Sequence, residues 1–120
     1  MDAQSSGAMV NGWKKLEWNG RSDWYYFRDS GAMATGWLKL EWNGEIDWYY
    51  FSGGGKMHTG WLMYKDNWYY LRGGGKMHTG WIELGGRWYY LNAPNGDMAT
   101  GTKTINGRTY SFNSSGSWIS

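Results

Sequence analysis

Residues 75–91 read Gly75-Lys76-Met77-His78-Thr79-Gly80-Trp81-Ile82-Glu83-Leu84-Gly85-Gly86-Arg87-Trp88-Tyr89-Tyr90-Leu91. Gly-Trp opens a short run, a Gly-Gly pair interrupts it, and Trp-Tyr-Tyr closes it. The same order returns along the chain. Trp-Tyr-Tyr stands at Trp24-Tyr25-Tyr26, Trp48-Tyr49-Tyr50, Trp68-Tyr69-Tyr70 and Trp88-Tyr89-Tyr90, each after a Gly-Trp at Gly12-Trp13, Gly36-Trp37, Gly60-Trp61 and Gly80-Trp81. The copies begin at Gly7, Gly31, Gly55, Gly75, Gly96 and Gly116, spaced 24, 24, 20, 21 and 20 residues apart. Methionine follows two residues after the first five of these glycines, and Trp118 takes that place in the truncated sixth copy. Self-similarity at a short fixed period marks one supersecondary unit used repeatedly.

The turn chemistry identifies that unit as a β-hairpin. Asn19-Gly20, Asn43-Gly44, Gly85-Gly86 and Asn106-Gly107 are strong two-residue turn signals, because both central residues of a type I′ turn need positive φ. Lys65-Asp66 is the weak member of the set. These turns set the register. Trp81 falls opposite Tyr90, Ile82 opposite Tyr89 and Glu83 opposite Trp88, while Trp13 falls opposite Tyr26. The 24-residue copies read as the same hairpin with two further residues on each strand. Side chains alternate between faces. One face collects the Gly-Trp tryptophan, the Trp of Trp-Tyr-Tyr and its second Tyr. The other collects an inner row, from Leu16, Tyr25 and Phe27 down to Ile105, Tyr110 and Phe112. A lone hairpin is marginal in water, but stacked hairpins bury one another. The expected fold is all-β, a solenoid of stacked β-hairpin repeats.

Composition agrees. The 120 residues include 11 Trp, 10 Tyr and 20 Gly but one Pro, which suits many turns and short strands rather than helices. The net charge of +2, without a run of Lys and Arg, offers no nucleic-acid stripe. The chain has no Cys, so thiol and disulfide chemistry are excluded. No stretch reaches the ~20 apolar residues of a membrane span. Residues 1–6 are polar, are read as a disordered segment ahead of a repeat module at 7–120, and carry no signal-peptide core. If the protein is secreted, its export signal is expected elsewhere.

Residues 75–91 closely resemble the choline-binding repeat of wall-attached proteins and phage lysins of pneumococcus-like bacteria, and the resemblance runs from Gly7 to Ser120. It implies a superhelix of hairpins with choline held between consecutive ones. It also implies phosphocholine of teichoic acids as the ligand, a secreted protein on the bacterial cell wall, and a separate catalytic or adhesive domain in the parent protein. The family's site takes two Trp from one repeat, a Tyr from the next and a Met nearby. Carried over, the first site is Trp13, Trp24, Met33 and Tyr50. The second is Trp37, Trp48, Met57 and Tyr70, and the third Trp61, Trp68, Met77 and Tyr90. In the fifth copy Thr102 replaces the first Trp, and Thr109-Tyr110-Ser111 replaces Trp-Tyr-Tyr. A fourth place at Trp81, Trp88 and Met98 is therefore expected to lack a wall at Ser111, and the fifth copy to act as a cap.

These residue types suit a trimethylammonium group. It is cationic but has no N–H to donate, and it carries an apolar shell. Electron-rich ring faces answer both properties, at ~0.5–2 kcal/mol per ring, and methionine adds polarizable contact. The remaining chemistry-bearing residues point to simpler roles. His58 and His78, 20 residues apart, are expected to point outward, with no metal role. Glu17, Glu41 and Glu83 share the Trp face and are read first as solvated strand charges. Trp18 and Trp42 are read as extended packing. The serines, at Ser5-Ser6 and Ser114-Ser115, have no His and Asp in equivalent positions, so catalysis has no support. No cofactor or membrane insertion is expected. Two other readings stand beside choline: a glucan-binding repeat module, disfavoured because the recurring companion is Met rather than Gln, Asn or Asp, and a structural spacer or adhesin rod.

Overall fold

A computed structural model describes residues 11–120, so residues 1–6, with Gly7 and Met9, lie outside the described residues. The described residues hold ten strands and no helix, as five antiparallel hairpins. These are β1 (Gly12–Trp18) with β2 (Arg21–Phe27), β3 (Gly36–Trp42) with β4 (Glu45–Phe51), β5 (Gly60–Tyr64) with β6 (Asn67–Leu71), β7 (Gly80–Leu84) with β8 (Arg87–Leu91), and β9 (Gly101–Ile105) with β10 (Arg108–Phe112). The chain divides into two compact units, one ending at His58 and the other spanning Thr59–Ser120. The first holds two hairpins and the second three.

The register is the expected one, with Trp13 opposite Tyr26, Trp81 opposite Tyr90 and Glu83 opposite Trp88. The first two hairpins have seven-residue strands and the other three have five-residue strands. Every turn has positive φ at both central residues. Even Lys65 and Asp66 adopt it, at 48° and 70°. Two non-glycine residues there carry a steric cost that Asn-Gly avoids, which is why that turn was the least legible in the sequence.

Each hairpin ends on an apolar side chain, half-buried at Phe27 and buried at Phe51, Leu71, Leu91 and Phe112. The chain then turns back. The bridge from Phe51 to Met57 has equivalents from Leu71 to Met77, Leu91 to Met98 and Phe112 to Trp118. One residue further, the N–H groups of Ala34, His58, His78 and Ala99 donate to the carbonyls of Tyr26, Tyr50, Tyr70 and Tyr90, each at 2.8 Å. The connectors thus stay tied to the hairpin they leave.

In the first unit the buried cluster is Ala34, Leu40, Tyr49 and Phe51, with Trp13, Tyr26, Leu38 and Met57 packed on it. In the second it includes Ala99, Ile105 and Phe112, with Trp81, Tyr90 and Tyr110 against it. Of the inner row, Leu40, Tyr49, Phe51, Leu71, Leu91, Ile105 and Phe112 are buried, and all the others but Leu16 are half-buried. Leu16, at the first hairpin, is 44% exposed. The cores form where the inner row of one hairpin meets the Trp row of the hairpin before it, and none of the described residues precedes β1 as a hairpin. Tyr69, also of the inner row, has its phenol pushed above the usual tyrosine range, first by burial and then by the Asp97 carboxylate.

His78 departs from its expectation. It is buried, not outward, and its ring bridges two groups. Arg72 Nε donates to Nδ1 at 3.0 Å, so Nε2 carries the hydrogen that the Trp81 carbonyl accepts at 3.0 Å. His58 is half-buried, 6.3 Å from the Tyr50 ring.

The repeat glycines are forced by geometry. Gly96 has φ +86°, and a Cβ built there falls 2.5 Å from the Met77 sulfur. Gly96→Ala is expected to destabilise the fold by about 1–3 kcal/mol, combining left-handed backbone strain with displacement of Met77. Urea denaturation measures it, and a change within ~0.3 kcal/mol would contradict this account.

Candidate functional site

Each Gly-Trp tryptophan lies diagonally across its hairpin from the Trp of Trp-Tyr-Tyr, on the same face. The two rings stand nearly at right angles. Centroids are 6.2 Å apart for Trp13 and Trp24, 6.4 Å for Trp37 and Trp48, 6.2 Å for Trp61 and Trp68, and 6.3 Å for Trp81 and Trp88. Such a pair makes two walls of a box.

An inner-row tyrosine of the next hairpin packs on each of three Gly-Trp tryptophans, and at Tyr110 it also lines a cavity. Tyr49 meets Trp13 at 4.9 Å, Tyr89 meets Trp61 at 5.0 Å and Tyr110 meets Trp81 at 5.0 Å. This is the first Tyr of Trp-Tyr-Tyr or its equivalent, not the second. Tyr50 and Tyr90 instead rest on their own hairpins' tryptophans, Trp37 and Trp81, both at 5.2 Å. The expected second site drew on both units. Trp37, Trp48 and Met57 belong to the first, and Tyr70 belongs to the second, where it lies 5.2 Å from Trp61.

The methionine is also one copy later than expected. Met57 donates its N–H to the Trp24 carbonyl, and Met98 donates to Trp68, both at 2.8 Å. Met98 lines a cavity of about 340 Å³ with Trp61, Trp68, Ser114 and Ser115. Met33 and Met77 do not reach their assigned cages. Their thioethers cover Gly55 and Gly96.

The place expected to stay open is closed. Trp118 donates its N–H to the Trp88 carbonyl at 2.8 Å, in the role that Met98 plays for Trp68. A cavity of about 390 Å³ is lined by Trp81, Trp88, Arg108, Tyr110 and Trp118. Met98 is not part of it, and the missing ring at Ser111 does not matter, because Tyr110 supplies the wall. Both cavities are at the small end of the ~300–1,000 Å³ of ligand pockets.

Trp42, expected as extended packing, joins the first tryptophan pair. Its ring lies 5.9 Å from both Trp13 and Trp24, making a corner of three tryptophans. It covers Trp24, which is half-buried, whereas Trp48, Trp68 and Trp88 are 40–41% exposed. The signal was the parity of Trp42, which places it with Leu40 on the row facing Trp13. The side chain of Trp18 lies outside the described residues. Among the described residues no group of three or more His, Cys, Asp or Glu could hold a metal ion.

A family model of the cell wall binding repeat, choline-binding type, matches residues 11–33, 59–77 and 79–98, more than half of the chain. The chain belongs to this cell wall binding repeat family. Solved structures of choline-binding repeat proteins carry the same hairpins. Choline binding protein F from Streptococcus pneumoniae is 49% identical with a TM-score of 0.82, over 95% of this chain and 36% of that one. CbpJ from Streptococcus pneumoniae TIGR4 is 48% identical with a TM-score of 0.83, over 95% of this chain and 37% of that one. A pneumococcal cell wall endolysin from phage Cp-1, solved with choline, is 34% identical with a TM-score of 0.56, over 91% of this chain and 30% of that one. This chain thus spans about a third of the length of each. Comparison with curated proteins gives no match.

The geometry places Met57 beside Trp24 and Met98 beside Trp61 and Trp68. In a ligand titration read from indole N–H signals, Met98→Ala is expected to weaken binding at Trp61 and Trp68 about two- to tenfold, the weight of one sulfur contact. The Trp81 and Trp88 signals should titrate as before. The reverse pattern would restore the original assignment of Met98 to the latter pair.

Proposed function

We propose that the chain is a non-catalytic module that anchors its parent protein to the bacterial cell wall by gripping choline groups in aromatic cages. The observation that carries this reading is the recurring box, two tryptophans at right angles closed by a tyrosine about 5.0 Å from the first, as at Trp81, Trp88 and Tyr110. A quaternary ammonium in such a box meets several ring faces at once. It needs no hydrogen-bond acceptor, and none of the side chains lining either cavity is a carboxylate or an amide. A sugar would need such groups for its hydroxyls. The family to which the chain belongs, and a phage endolysin relative solved with choline, support the same ligand.

Three cages lie within the two units: Trp13 and Trp24 with Tyr49, Trp61 and Trp68 with Tyr89, and Trp81 and Trp88 with Tyr110. Two or three rings at ~0.5–2 kcal/mol each give a weak site. Weak sites on one chain become strong together when the partner is a polymer displaying many copies of the ligand, as choline-decorated teichoic acid does. The location that follows is the outer cell wall, and the parent protein's other domain supplies the catalysis or adhesion.

Calorimetric titration with choline, against isomaltose, tests this. Choline should bind in the millimolar range and raise the melting temperature by mass action, and isomaltose should do neither. A melting shift from isomaltose and none from choline would move the assignment to glucan.

A further inference from the structure

Two neighbouring cages of the second unit have equivalent tryptophan pairs but differ at the rim. The cavity at Trp61 and Trp68 carries the hydroxyl residues Ser114 and Ser115 and no charge. The cavity at Trp81 and Trp88 carries Arg108. The Arg108 guanidinium carbon lies 5.5 Å from the Tyr110 ring centroid, on the ring that forms the cage's third wall. Among the described residues no carboxylate pairs with it. Glu83, cross-strand from Trp88, is exposed and does not line the cavity.

This placement is less favourable for a bare cation than the uncharged rim at Trp61 and Trp68. An ammonium seated against Tyr110 shares that ring with a second positive charge, in a box too small to separate them by a screening length of ~8–10 Å. The arrangement becomes favourable when the ligand carries its own anion. In a phosphocholine ester the phosphate hangs two methylenes and one ester oxygen from the nitrogen, so it reaches the rim while the trimethylammonium fills the box. A guanidinium fork suits phosphate oxygens better than any other side chain.

We infer that the cage of Trp81, Trp88, Tyr110 and Trp118 is a zwitterion site: Arg108 takes the phosphate of a phosphocholine ester while the rings take its ammonium, so this cage selects phosphocholine esters over free choline. The inference rests on the choline reading above and assigns to one cage a selectivity that its neighbour lacks.

Indole N–H signals of the full chain, titrated separately with choline and with glycerophosphocholine, test it. At Trp81 and Trp88 glycerophosphocholine should bind about fivefold more tightly than choline, ~1 kcal/mol. At Trp61 and Trp68 the two ligands should differ by less than about twofold. Arg108→Gln should erase the preference by weakening glycerophosphocholine and strengthening choline at the same cage. A general structural defect cannot produce that gain, and Arg108→Lys should keep part of the preference. Equal affinities in the unchanged chain, or an Arg108→Gln variant that loses both ligands in proportion, overturns the inference while leaving the choline reading intact. Silence of every tryptophan pair toward both ligands overturns both. Sedimentation with phosphatidylcholine vesicles separates the sources. Soluble ester binding without sedimentation supports a polymer-borne group, and sedimentation lost in Arg108→Gln supports the same contact made to a lipid head group.

Discussion

The edge-to-face contact between a Gly-Trp tryptophan and the inner-row tyrosine of the next hairpin organises both the fold and the site. It recurs at 4.9–5.0 Å between Trp13 and Tyr49, Trp61 and Tyr89, and Trp81 and Tyr110. Each such pair contributes ~0.5–1.5 kcal/mol beyond the area it buries. It also supplies much of the core, beside buried aliphatic residues such as Leu40, Leu71, Leu91 and Ile105. With few aliphatic side chains, the hairpins cover one another largely with rings. A ring is large enough to pack against its successor and still leave a surface uncovered. The same tryptophans therefore pack as core on one side and, in the proposed reading, face a ligand on the other.

That constraint explains what was legible in the sequence. Turn residues and alternation fixed the hairpins, their register and the composition of each face, because these are local and each has one dominant cause. Even the two longer hairpins were evident from the 24-residue spacing. The third wall was not, although its information was present. Tyr50 shares a face with Trp37, and Tyr49 shares a face with Phe51. A stack brings the inner row of one hairpin onto the Trp row of the hairpin before, so only Tyr49 can reach Trp13. The methionine was harder. Its place depends on how the connector after the next hairpin returns, as when Met57 binds the Trp24 carbonyl. No pattern along the chain encodes that return.

Variation between copies follows the same division. The positions whose N–H groups return to the second Tyr of the preceding hairpin hold either Ala or His at 34, 58, 78 and 99, and His78 bonds Arg72 and the Trp81 carbonyl. Positions at the cage rim vary in chemistry without disturbing the stack, from Met98 and its serines to Trp118 and Arg108. The two further residues in each strand of β3 and β4 extend the inner row far enough for Trp42 to reach the first tryptophan pair. The repeat thus fixes the walls and leaves the rims free to differ.

The fifth hairpin shows that the two faces are separable. Its inner row is kept, with Ile105 and Phe112 buried and Tyr110 against Trp81. Its other face is polar throughout. Thr102 stands opposite Ser111 and Thr104 opposite Thr109, where β7 and β8 carry Trp81, Tyr90, Glu83 and Trp88. The hydroxyls of Thr104 and Thr109 lie 3.1 Å apart, and Ser111 exchanges backbone hydrogen bonds with Ile119 and Ser120. A face of threonine and serine needs no ring to cover it. Losing the tryptophans of the fifth copy therefore removes a cage after it and none before it. The cage at Trp81 and Trp88 needs only the inner row of the fifth hairpin and the segment that carries Trp118.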